Sequence, residues 1–281
     1  MDFLLECIGF PPDQDLDELA RSARESGESV PWRGPKGEHY RLSLGPGLDL
    51  RVDREEGGGH WTLYPHYQSN QRLRLSVHSV RGLPDSIYDA LIFGWANPPL
   101  EGSFVDCDEA YPLSAVLTDR RRLPRRLEPG HVLAVNLAGF ALDVRFVGPA
   151  DTAALGDATC AGGETATPTV PAEAPVGRTL PGGGWIAPLG GTEDPGGCVE
   201  LSLPIRAVHT LENELTGREV TMIEAEAPAR PLMLFTSPWQ LEGDGLPAPR
   251  AGWSVEGTFL LTGRIAGGLA SPTERLGRSF G

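Results

Sequence analysis

The chain has 281 residues with 40% hydrophobic and 22% charged side chains, enough to bury a sizeable core, which excludes a disulfide-stapled miniprotein. Its formal charge of −14 repels nucleic acid and anionic lipid, and no apolar run approaches the roughly 18 residues that span a bilayer. Thirty-six glycines and 26 prolines mark it as rich in loops.

In chain order, Phe3 to Ile8 reads as a short apolar strand stopped by Gly9 and by Pro11-Pro12. Asp15-Leu16-Asp17-Glu18 fits a helix N-terminus. Leu16, Leu19, Ala20 and Ala23 share one helical face, and Gly27 stands where the helix would end. The absence of a basic region before Phe3-Leu4-Leu5 argues against a secretion signal and for a cytoplasmic location, where Cys7, Cys107, Cys160 and Cys198 are expected as reduced thiols. His39 to Leu44, Leu48 to Val52 and His60 to Tyr67 alternate apolar and polar residues between glycine-rich turns, the pattern of antiparallel strands.

From residue 72 the sequence reads as a duplicated small β unit. Leu73, Leu75 and Val77 match Leu201, Leu203 and Ile205 in phase. Pro112 to Thr118 matches Pro231 to Thr236, Gly130 matches Gly252, and strands running to Gly139 and Gly263 close each copy. Residues 149–197 hold nearly all of the low-complexity character, with Ala, Thr, Pro and Gly and few large apolar residues from 150 to 179, and read as a flexible connector, with Trp185 to Leu189 as an apolar island that docks on a neighbour or serves as a lid. The expected organisation is therefore 1–148, an N-terminal α/β segment with a first β unit; 149–197, the connector; and 198–281, a second β unit and tail. The fold class is α+β, mostly β, built of antiparallel sheets with one clear N-terminal helix.

Common catalytic motifs are missing. The single lysine, Lys36, is not in a phosphate-binding Gly-Lys-Ser/Thr context, and no His-Glu-x-x-His, Cys-x-x-Cys or dinucleotide fingerprint occurs. The Gly-x-Ser-x-Gly at 277–281 lacks the strand and helix that would strain its serine. No cofactor is expected.

Two stretches carry candidate binding chemistry. Trp61, Tyr64, His66 and Tyr67 supply amphipathic aromatics for a ligand or peptide groove. A hairpin between 60–67 and 73–80 would bring His60 to His78, a weak metal pair beside Asp53. Arg120, Arg121, Arg122, Arg125 and Arg126 place five of the 24 basic residues within seven positions on an acidic chain, as an internal clasp or a docking point for an acidic protein or a small anionic ligand. The expected function is a binding or protein-interaction protein; the alternative is a small-molecule enzyme, metal-assisted, using His60, His66 and His78.

The opening around Leu4-Glu6-Ile8-Gly9-Phe10 resembles the βαβββ unit of glyoxalase-type proteins over about 70 residues. No metal ligands carry over, since the later copies lack the helix. Gly37-Glu38-His39-Tyr40, Tyr64-Pro65-His66-Tyr67 and Val255 to Arg264 resemble a family of bacterial proteins of unknown function, which implies a shared architecture and no mechanism.

Overall fold

A computed structural model describes residues 2–30, 37–84, 86–99, 107–124, 126–149, 178–190 and 196–266. The first element is helix α1 (Asp2–Glu6), where a strand was expected. Leu4, Leu5, Cys7 and Ile8 are buried and Phe3 is exposed, a helical spacing. Gly9 at φ 86° ends the helix, with the Gly9 and Phe10 amides donating to the Glu6 and Leu5 carbonyls in the reversed-turn cap that a glycine favours. Helix α2 (Leu16–Ser26) lies where its signals placed it. The Asp15 carboxylate accepts from the Asp17 and Glu18 amides, and Gly27 donates to the Ala23 carbonyl.

Strands β1 (Glu28–Ser29), β2 (Gly37–Gly45), β3 (Leu48–Glu55) and β4 (Thr62–Tyr67) form an antiparallel meander. Alternation divides it into two faces. Leu42, Leu44, Leu48, Leu50, Val52 and Leu63 belong to the hydrophobic core, along with Leu19, Ala20 and Ala23 of α2. The opposite face carries His39, Arg41, Asp49, Arg51, Asp53 and His66, and most of these are buried as well.

The second, mixed sheet has ten strands: β5 (Leu73–Leu83), β6 (Ser86–Ala96), β7 (Tyr111–Leu117), β8 (Val132–Val147), β9 (Arg178–Thr179), β10 (Trp185–Pro188), β11 (Cys198–Asn213), β12 (Arg218–Ala225), β13 (Leu232–Thr236) and β14 (Ser254–Ile265). A short helix α3 (Pro238–Gly243), capped by the Ser237 hydroxyl, follows β13. The pairings close two rings of five strands, β5-β6-β7-β14-β8 and β11-β12-β13-β8-β14, which share the β8–β14 ladder. The ladders match strand for strand. Val77 faces Gly94 as Ile205 faces Ala225, and Gly94 faces Leu113 as Ala225 faces Leu232. Ser76 faces Val132 as Pro204 faces Ser254, and the parallel pair Val116 and Thr262 corresponds to Phe235 and Phe140. Even the irregularities agree: the register slips at His78 in β5 and at Arg206 in β11. Each ring draws one of its strands from the other half, so segments 1–148 and 198–281 are interlocked rather than placed in series.

β9 and β10 lie inside the stretch read as connector. The Trp185 island pairs with β11, while residues 150–177 and the serine motif at 277–281 lie outside the described residues. Cys7, Cys107 and Cys198 are free thiols, and burial pushes Cys7 up to about 12; Cys160 is outside the described residues. No helix among the described residues is long and apolar enough to cross a membrane.

Candidate functional site

β4 does not pair with β5. It closes the edge of the first sheet against β3, while β5 joins β6 and β8 in the second, so the expected hairpin is not formed. His78 is exposed at the β5 bulge, edge-on to Phe93. His60 is also exposed and lines a cleft of about 410 Å³ with Trp61, Asp53 and Tyr88, whereas His66 is fully buried in a different place. The three histidines therefore do not form one centre, and no group of three metal-ligating side chains occurs among the described residues. The aromatic groove is likewise divided. Alternation sends Tyr64 and His66 to one face of β4 and Trp61 and Tyr67 to the other, where Trp61 lies under the Arg54 guanidinium at 4.3 Å and Tyr67 packs on Phe235.

The arginine cluster begins as a 3-10 turn over Arg120–Arg122. Arg121 and Arg122 reach back to the buried Asp119 carboxylate at 3.1 and 2.9 Å, and Arg122 also donates to the Ile265 carbonyl. Arg120 covers Gly82, Arg126 is exposed, and Arg125 lies outside the described residues. The cluster is thus largely an internal clasp, with Arg122 turned toward a cleft.

That cleft, of about 350 Å³, is the most chemically distinctive feature of the molecule. Four arginines line it, Arg41 from β2, Arg72 ahead of β5, Arg122 from the turn and Arg264 from β14, together with His66, Asn136 and the 68–70 turn. Among the described residues no acidic side chain lines it. Its floor is the polar face of the first sheet packed against the second. Here Asp49 stands 3.6 Å from Arg264, 3.9 Å from Arg51 and 4.0 Å from Arg41. Burial raises the Asp49 carboxyl and the three guanidiniums lower it, leaving a net rise. Arg51 is only 2% exposed, and burial brings it down to about 10, still charged at neutral pH. Further in, His39 pairs with Asp53 and stacks on Tyr88, and Asp89 and Asp119 complete a buried ionic layer between the sheets.

His66 is positioned by β4 so that Nδ1 lies 3.2 Å from the Thr262 hydroxyl, which donates its own proton to the Pro65 carbonyl at 2.9 Å. Nδ1 therefore carries the hydrogen, and Nε2 is a bare acceptor. Burial, then Arg264 and Arg51, hold the imidazole well below the ordinary histidine range, so it is neutral. The Asn136 amide nitrogen is spent on Ser69 and Gln71 carbonyls at 2.8 and 2.7 Å, which turns its oxygen toward the ring. That oxygen favours the charged imidazole, and neither it nor Nε2 makes a hydrogen bond of ordinary geometry among the described residues.

Of the residues singled out in the sequence, the cleft brings together His66 and Arg122. Arg41, Arg72, Asn136 and Arg264 were not singled out. For Arg41 the available signal was its alternation with Arg51, Asp49 and Asp53 on paired strands, which marks a polar face needing partners; Asn136 and Arg264 carried no local signal. Comparisons with protein-family models, with curated proteins and with solved structures returned no match, so the reading of this cleft rests on its own geometry and chemistry.

Proposed function

We propose that this protein binds a small organic oxyanion, in the cleft lined by Arg41, Arg72, Arg122 and Arg264. The observation that carries this reading is the sign of the cleft lining: four guanidiniums converge there and, among the described residues, the carboxylates that pair with Arg41, Arg122 and Arg264 (Glu28, Asp119 and Asp49) stand outside the lining, on a chain whose net charge is −14. Guanidinium forks match the geometry of phosphate and carboxylate oxygens. Several arginines facing one cleft favour a dianionic group, such as a phosphate monoester, over a single carboxylate. The same feature supports the small anion over an acidic protein partner, because the four guanidiniums converge on a cleft whose wall includes the buried His66 and Asn136 rather than spreading over an open face.

Calorimetric titration with a simple alkyl phosphate tests it. Binding should weaken with added salt, and Arg72→Ala should weaken it about fivefold to tenfold. Arg72 is the useful variant because it is exposed and stands outside the ion pairs of the floor, so the fold should survive its loss. Absence of any heat or thermal shift with millimolar phosphate esters would sink the reading.

A further inference from the structure

We infer that the anion this cleft takes is hydroxylated, a polyol or sugar phosphate whose hydroxyls donate to His66 Nε2 and Asn136 Oδ1. The inference rests on the oxyanion reading above and adds the identity of the rest of the ligand.

The mouth of the cleft offers cations, but its inner wall offers the reverse. His66 is 0% exposed and Asn136 is 4% exposed, and both line the cleft. Their only unused polar atoms are acceptors: the imidazole nitrogen because Thr262 takes the proton on Nδ1, and the amide oxygen because the amide nitrogen is held by the 69–71 backbone. A phosphate oxygen against these two atoms would set acceptor against acceptor. An alkyl chain would leave both desolvated and unpaired, at a cost comparable to a lost hydrogen bond each. A hydroxyl satisfies one of them, and a vicinal diol satisfies both. With the phosphate on the arginines, such a ligand has charge at one end and donors at the other. Burial, and behind it Arg264 and Arg51, keeps His66 neutral, which preserves the acceptor.

The test compares two phosphates of similar size, n-propyl phosphate and glycerol 3-phosphate, on the wild-type chain by calorimetry at pH 7.5. Glycerol 3-phosphate should bind on the order of tenfold more tightly. His66→Phe should abolish that preference by removing the acceptor. If both esters bind the wild type equally, or if His66→Phe keeps the preference, the hydroxyl assignment is overturned while the oxyanion reading stands. If neither binds, the oxyanion reading itself fails. The ligand comparison needs only the wild type, so a variant that does not fold leaves the result decisive.

Discussion

Asp89 shows how much a single buried side chain can say about the layer between the sheets. It is fully buried on β6, and burial drives its carboxyl up to about 6; Ser86 and Arg51 pull it down and Asp119 pushes it up. The unfolded value is about 3.9. A carboxyl whose folded pKa is raised is neutral in the fold at low pH, so it binds more protons there than in the unfolded chain between about pH 4 and 6. Its contribution to stability therefore falls as pH rises through that window and is flat above it. Asp89→Asn should gain on the wild type by up to about 3 kcal/mol between pH 4 and pH 7. Urea unfolding of both proteins at the two ends of the range measures this, and a constant difference would refute the assignment. At this scale the sequence was least informative. Asp49, Arg51 and Asp53 look like the solvent side of an amphipathic strand, and only the second sheet lying over them makes them interior. Arg264 and Asn136 reach the cleft from strands far away in the chain, a juxtaposition no local pattern encodes.

At the scale of elements, α2 and strands β2, β3 and β4 were legible because their signals are local: a cap, a helical face and alternation between glycine turns. α1 was not, because a short apolar run cannot separate strand from helix by periodicity, and Gly9 stops either. The partner of β4 was missed for a different reason. A turn at Ser69-Asn70 invites a hairpin, but β5 pairs with β6 and β8 in the second sheet, and Asn136 fastens that turn to β8. Turns also hold strain. Ala229, in the connection from β12 to β13, sits at φ 61° in a three-residue turn where Arg230 donates to the Pro228 carbonyl. An L side chain pays about 1–2 kcal/mol there, against the 0.5–1 kcal/mol of extra entropy that glycine loses on folding. Ala229 is exposed, so Ala229→Gly should leave packing untouched and stabilise by about 0.5 kcal/mol, seen as a higher midpoint in thermal unfolding.

For the whole molecule, the matched phases of Leu73 to Val77 and Leu201 to Ile205 were readable, and so was the correspondence of Gly130 with Gly252. The backbone repeats them hydrogen bond for hydrogen bond: Gly130 donates to Val77 and Val77 to His131, as Gly252 donates to Ile205 and Ile205 to Trp253. What alternation could not show was that the halves exchange strands, since parallel pairing of β7 with β14 and of β13 with β8 leaves no mark in either strand alone. Because both rings close through the β8–β14 ladder, loss of that ladder opens both. The two should unfold in one transition. Leu203→Ala, a fully buried change in the second ring, should cost about 2–5 kcal/mol and lower the midpoint reported by amide exchange in β6 of the first ring by the same amount as that of β12. Separate midpoints would show the rings to be independent.

Sharing β14 also sets an order of events during synthesis. The first ring has β5 to β8 in hand early, yet its β7 and β8 edges stay unpaired until Ser254–Ile265 is made. Until then a nascent chain presents open strand edges with apolar faces, the surface on which chains stick to one another. Closure of the first ring is thus held back until β14 is made, and a chain cut short before β14 should be retained by chaperones or aggregate, even though every residue of its first four-strand group is present.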